Sequence, residues 1–199
     1  MVGSKAPTDT RAQILEAAKG LLRRYGPNKL TVVDIARELR MSHANVYRFY
    51  KTKSDILDAI SDEWLTQLEM FVEAIARRKT SAAARIEAVV LELHRKRKKK
   101  FLQDAEVFEA YRRIVEVRPE VAERRREKIQ TVFQRLLQEG MASGEFGAMD
   151  CLKVATTLKD ATAMFLHPLL IPSTIKQPTD ARARNVVRFI LAGCGKTTS

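Results

Sequence analysis

The chain has 199 residues, 45% hydrophobic and 30% charged, with 36 Lys+Arg against 24 Asp+Glu and a formal charge of +12. This apolar content suffices for a small head and a larger domain with its own core and excludes a disordered tail, while the positive balance favours a polyanionic partner without naming DNA. No apolar run approaches the roughly 18 residues of a membrane span, and MVGSKAPTD has no signal-peptide core, so no membrane partner and a cytoplasmic address are expected. Cys151 and Cys194 lie far apart without a CxxC pair, which argues against a disulfide framework and a zinc site, so both are expected as reduced helix residues.

The first predicted helix carries Ile14, Ala18, Leu21, Leu22 and Tyr25 at helical spacing, with Thr10 and Gln13 as a capping box and Gly26 and Pro27 as its stop. Thr31 then stands three residues ahead of Asp34 in the form of an N-cap, and Ile35, Ala36 and Leu39 give a short second helix one apolar stripe. Arg40 and Met41 make the turn. Ser42 caps a third helix in which Val46 and Tyr50 point one way, leaving His43, Ala44, Asn45, Tyr47 and Arg48 over the remaining surface. Three helices around a small core, the last two joined by a tight turn, form a helix-turn-helix, whose second helix enters the major groove with its N-terminal residues leading. Asn45 offers an amide fork suited to adenine, and Arg48 a guanidinium fork suited to guanine or a phosphate. Lys53 sits at the start of the next helix, capped by Thr52 and Asp55, where the backbone dipole is also positive.

The rest of the chain reads helical throughout, so the fold class is all-α: a DNA-binding head over residues 8–54 and a larger helical domain over 55–196. A long helix from Ser54 carries Leu57, Ile60, Trp64, Leu68, Phe71 and Ile75, ending near Arg77, Arg78 and Lys79. Further helices run through Ile86, Val89, Val90 and Leu93, through Phe108, Tyr111, Ile114 and Val115, and from Pro119 through Ile129, Phe133, Leu136 and Leu137. Gly140, Gly144 and Gly147 break the pattern. A last pair covers about 149–165, with Leu152, Ala155, Leu158, Ala161 and Phe165 as its stripe, and about 180–192, with Ala183, Val186, Val187, Ile190 and Leu191. Between them stands HPLLIPSTIKQP. The run Arg95 to Lys100, RKRKKK, reads either as the solvated end of a helix or, if that helix returns towards the head, as a source of salt-sensitive attraction for DNA.

The segment from Thr31 to Leu57 resembles the TetR/AcrR one-component regulators of bacteria, on Thr31, Ile35, Ala36, Ser42, Tyr47, Tyr50, Lys53 and Ile56 in register without a gap. It departs from that pattern at Arg40, where a Gly is usual, at Ala44 and Asn45 in place of Gly-Thr, and at Phe49 in place of a frequent His. Phe49 is expected in the core. The resemblance implies that Tyr47 and Lys53 touch phosphates, that Thr31 is a contact at the first helix of the pair, and that Ser42, His43, Ala44, Asn45 and Arg48 lie at the groove. It also implies a homodimer built on the last helix pair, with Leu152, Ala155, Leu158, Phe165, Val186, Val187 and Ile190 at its interface. A dimer is also expected on independent grounds, because one helix-turn-helix reads too few bases and paired heads match palindromic half-sites.

The resemblance further implies an effector pocket, for which Trp64, Leu68, Phe71, Phe108, Tyr111, Phe133 and Met164 are the candidates, each also an ordinary core residue by its spacing. The interior stripes offer few fixed charges, which points to an apolar or aromatic effector. Three histidines without metal-ligand spacing, no Gly-rich phosphate loop and no Gly-x-Ser-x-Gly elbow argue against an enzyme, a metal or a bound cofactor. The expected function is a sequence-specific transcriptional regulator, a repressor that binds double-stranded DNA and is released by a small molecule. The alternative is a nonspecific basic architectural protein, which uses charge without a groove-reading helix.

Overall fold

The structure, a computed structural model, describes residues 7–177 and 179–195, with side chains from Thr10 onward. The expected end of the second domain at residue 196, most of MVGSKAPTD and Pro178 of the HPLLIPSTIKQP connection lie outside the described residues. Every regular element among the described residues is helical.

The head begins with α1 (Pro7–Lys29), α2 (Val32–Glu38) and α3 (His43–Phe49). Because α1 already runs from Pro7, Thr10 and Gln13 lie inside its first turns and do not cap it; a proline suits a first turn, where no N–H is needed. Gly26, at φ 75, kinks α1 as its residue type permits. Beyond the kink Pro27 takes the inward position, leaving Tyr25 exposed beside the Arg24 guanidinium instead of in the expected stripe. The caps of α2 and α3 follow local chemistry: Thr31 Oγ1 accepts from Asp34 N at 3.1 Å and Ser42 Oγ from Asn45 N at 3.2 Å. Between them α2 ends in a Schellman turn, with Met41 N donating to Ala36 O at 2.9 Å and Arg40 N to Arg37 O at 3.1 Å around a left-handed Arg40 at φ 51. Ile14, Ala18, Leu22, Ile35, Ala36, Val46 and Tyr50 form the head's core, and Phe49 packs half-buried against it.

The long α4 (Lys53–Ala76) starts at a full capping box, in which Thr52 Oγ1 accepts from Asp55 N at 3.1 Å and Asp55 Oδ2 from Thr52 N at 2.9 Å. Its first turns give Ile56 and Ile60 to the head's core, past residue 54, and its later turns give Leu65, Leu68, Val72 and Ile75 to the body. The expected stripe is therefore displaced: Leu57, Trp64 and Phe71 sit half-buried at its edge, because α4 packs against α1 and three body helices and needs a wide apolar face.

The body continues with α5 (Ala82–Gln103), α6 (Ala105–Val117), α7 (Glu120–Ala142), α8 (Cys151–Ala161), α9 (Ala163–Leu166), α10 (Ile171–Thr174) and α11 (Thr179–Ala192). α5 is central, packing on α4, α7 and α11, and its Ile86, Val89, Val90 and Leu93 are buried. Its first turn is capped twice: Ser81 Oγ accepts from Ala84 N, and the Glu145 carboxylate, far along the chain, accepts from Ala82 N at 2.7 Å and Ala83 N at 2.8 Å. Gly140 does not break α7, which runs on to Ala142; it admits the buried Phe146 ring against the helix backbone. The single helix expected over 149–165 is divided. Asp150 caps α8, and the buried Thr162, whose hydroxyl donates to Leu158 O at 2.6 Å, separates it from α9.

Candidate DNA-reading head and ligand cavity

Of the residues expected at DNA, His43, Ala44, Tyr47 and Arg48 are exposed together on α3, with Tyr47 45% accessible. Thr31 and Ser42 are also exposed, but their hydroxyls are engaged in caps, and Thr31 additionally donates to Asp34 Oδ2 at 2.5 Å. Asn45 is half-buried with its amide nitrogen 3.8 Å from Met41 Sδ, a weak contact that leaves its carbonyl oxygen unused by that bond. Lys53 is half-buried and donates to the Asn28 carbonyl at 3.3 Å; burial first, and the nearby Arg113 second, pull its ammonium below the ordinary lysine pKa. These contacts tie Lys53 to the end of α1, so it holds the head together as well as presenting charge. Arg11 adds a clamp, donating to Phe49 O at 3.1 Å with its guanidinium 5.1 Å from the centre of the Tyr50 ring.

Head and body are joined through the α5–α6 corner. Asp104 accepts from Arg23 Nε at 2.9 Å, Arg23 Nη2 at 3.0 Å and Lys100 Nζ at 2.6 Å. Although burial opposes it, the hydrogen bonds from Arg23 and Lys100 hold the Asp104 carboxyl below its ordinary pKa. Three residues on, Val107 is buried in the head's core, and Arg113 reaches the Asn28 side chain.

A cavity of about 260 Å³ opens between α4, α5 and α7. Its apolar wall is Leu65, Leu68, Val72, Leu93, Ile129 and Val132, and its charged groups are Glu69, Glu73, Arg97, Arg125 and Lys128. Of the seven expected pocket residues only Leu68 lines it. Trp64, Phe108 and Tyr111 stack edge-to-face on one another at 5.6–6.4 Å, Phe133 is wholly inside the body core, and Phe71 lies under the Lys96 ammonium at 4.2 Å. Met164 is 44% exposed on α9, with its sulfur 3.6 Å from Arg182, so it faces away from the interior. The expectation of few charges inside also fails. Arg97, from the basic run, is only 4% exposed and turned into the cavity wall.

A profile described as "Bacterial regulatory proteins, tetR family" matches residues 14–60, and one described as "Tetracyclin repressor-like, C-terminal domain" matches residues 82–187, more than half the chain. The chain belongs to the TetR family. Solved structures with the same fold include a TetR/AcrR-family transcriptional regulator from Thermobifida fusca, at 24% identity and a TM-score of 0.66, covering 94% of this chain and 100% of that one. A TetR regulator from Haloarcula marismortui gives 20% and 0.69, over 95% and 100% of the two chains. FadR from Bacillus subtilis, in complex with stearoyl-CoA, gives 19% and 0.62, over 92% and 98%. No curated protein matches the chain.

In this TetR-family regulator the stripe expected at a dimer interface is divided. Ala155, Leu158, Phe165 and Val187 are buried in the chain's own core, because α8, α9 and α11 first have to cover α5 and α7. The apolar side chains left outward are Leu152 at 51% exposure and Phe189 at 83%, beside the half-buried Val186 and Ile190. Phe189 falls outside the apolar stripe that the spacing predicts, although it neighbours that stripe on α11. Arg11 and Asp104 carry no signal in the sequence for their roles, and Val107 carries one only as an apolar residue just before the Phe108 stripe. Among the described residues no helix is long and apolar enough to cross a membrane, and no cluster of His, Cys, Asp or Glu could hold a metal ion.

Proposed function

We propose that this TetR-family regulator is a cytoplasmic homodimeric repressor that occupies a palindromic operator until a small molecule in the α4/α5/α7 cavity changes the spacing of its two heads. The observation that carries this is the set His43, Ala44, Tyr47 and Arg48, exposed together on a helix with a capped N-terminus. On this reading Tyr47 and Lys53 hold phosphates, with Thr31 and Ser42 at the backbone, and Asn45 and Arg48 meet base edges. Leu152, Val186, Phe189 and Ile190 give α8 and α11 an outward apolar surface for a second copy. We place the functional division near residues 54 and 55, with α4 common to both units.

The energetic demand is modest. An effector that prefers the DNA-incompetent state by about 1–3 kcal/mol lowers operator affinity 5- to 150-fold, and DNA weakens effector binding by the same factor. Two elements carry the coupling: α4, which contributes to both cores, and α6, which inserts Val107 into the head while Tyr111 packs in the body. Selection of sites from random duplex DNA at near-physiological salt tests the reading, comparing wild type with Tyr47→Ala. One enriched palindrome, lost in the variant, supports it. Binding that fades with salt and enriches nothing identifies a nonspecific basic protein instead.

A further inference from the structure

The α4/α5/α7 cavity contains one charge that the protein does not answer. Arg125 donates to Asp62 at 2.9 Å and to Glu69, Lys128 donates to Glu69 at 2.9 and 3.0 Å, and Glu73 accepts from Arg135 at 2.8 Å. The other charged groups at the wall are thus balanced within the fold. Arg97 is different: among the described residues its guanidinium has no hydrogen-bond or ion-pair partner, and its Nε is fully enclosed. Two other arginines also have an enclosed Nε, but each uses its terminal nitrogens. Arg85 donates to Ala76 O and Glu139, and Arg112 to Glu109 and Glu116. Burial pulls the Arg97 guanidinium below the ordinary arginine pKa, yet a guanidinium stays charged in proteins, so the cation persists where water is scarce. An arginine in this position lacks an anion.

We propose that the cavity takes a small organic monoanion, a carboxylate on an apolar body, with Arg97 receiving the carboxylate through its fork and Leu65, Leu68, Val72, Leu93, Ile129 and Val132 enclosing the body. Resting on the effector-responsive reading, this assigns the effector a charge and a size. The cavity's ~260 Å³ lies just below the usual span of about 300–1,000 Å³, which excludes long or branched polyanions from full enclosure. One net positive charge remains after the internal pairs, so one negative charge completes the site. Neutral apolar molecules of the same shape leave Arg97 as it is and gain only the wall.

Calorimetric titration of the full chain with phenylacetate and octanoate, each paired with its primary amide, tests this without DNA. At least one acid is expected to bind with one site per chain and about 10- to 100-fold more tightly than its amide, the preference that hydrogen bonds to a charged partner produce. In Arg97→Gln the acid-to-amide ratio should fall to about threefold or less, and in Arg97→Lys, which keeps the charge and loses the fork, it should fall part of the way. Equal binding of acid and amide by the wild type, no acid binding tighter than about 1 mM, or an unchanged ratio in either variant overturns the proposal. Should Arg97→Gln fail to fold, the wild-type ratio and Arg97→Lys still decide. Because the titration reads only the cavity, its failure is separate from failure to enrich an operator, which would sink the repressor reading and leave an anion site standing.

Discussion

Replacing Gly140 by alanine tests how tightly the end of α7 is closed. A Cβ at this position would overlap two carbons of the Phe146 ring, where ordinary contact is ~3.5–4.0 Å, and would stand 3.0 Å from Ala82 Cβ. It is fixed to the helix backbone and cannot rotate away, and the ring is itself locked in the core at 6% exposure. Overpacking of this kind costs about 1–3 kcal/mol, and expelling the ring instead costs about 1.5–3 kcal/mol of lost burial. Alanine returns about 1 kcal/mol through helix propensity, so a net loss of up to about 2 kcal/mol is expected. The sign should depend on the ring. In a Phe146→Ala background only the Ala82 contact remains, and Gly140→Ala should be neutral or stabilising by up to about 1 kcal/mol, a coupling of about 2 kcal/mol between the two sites. Urea denaturation of the four proteins, followed by far-UV circular dichroism with unchanged m-values, measures it. A Gly140→Ala change that costs the same with and without the ring would show that the Phe146 contact does not close this end of α7.

Arg40→Gly relieves a left-handed backbone worth about 1–2 kcal/mol at the cost of about 0.5–1 kcal/mol of unfolded-state freedom, so thermal unfolding should show a gain of about 0.5–1 kcal/mol; a loss would mean that the Arg40 side chain supports the turn. Glu145→Ala removes two charge-assisted bonds from the first turn of α5 and should destabilise by about 1–2 kcal/mol in urea, with no effect counting against the cap. Tyr47→Phe, assayed by anisotropy on a selected operator, should weaken binding by about 1.5–3 kcal/mol with an unchanged salt slope, because the phenol carries no charge; equal affinity would remove the phosphate role. His94 donates from Nδ1 to Phe165 O at 2.8 Å and accepts at Nε2 from the Thr179 hydroxyl at 2.7 Å, and burial holds its pKa, like that of His167, below 6.5. Depressed folded values mean that the unfolded chain takes up protons first. Stability should therefore be fully present above about pH 6.5 and fall as pH drops towards the folded values, by up to about 1.4 kcal/mol per pH unit for each histidine. His94→Gln should flatten that fall, and a pH profile identical to wild type would show that His94 does not contribute.

What was legible in the chain was chemistry that closes over three or four residues. Thr31, Ser42 and Thr52 cap their helices because each hydroxyl meets a backbone N–H three residues on, a relation any helix start must satisfy. Periodicity located the helices, but it could not tell how wide a buried face each needs, which depends on what packs around it. Trp64 and Phe71 lie at the margin of α4 for that reason, and the break at Thr162 follows from the contacts of α8 and α9 with different neighbours. The large aromatics expected around a pocket pack on one another instead, and space is left where medium-sized Leu, Ile and Val side chains meet. Arg97 shows how composition concealed position. At 3.6 residues per turn, six consecutive residues sweep through more than a full turn, so a run such as RKRKKK on a helix packed against others has to send at least one cation inward. The helix separates their fates: Arg95 reaches Asp180 at 2.6 Å, Lys96 covers the Phe71 ring, Lys100 joins Asp104, and Arg97, four residues beyond Leu93 on the buried face, enters the cavity. The run is therefore divided: Arg95, Lys96 and Lys99 stay exposed, its end at Lys100 returns to the head through Asp104 and Arg23, and its inward member is the residue that gives the cavity a charge to recognise.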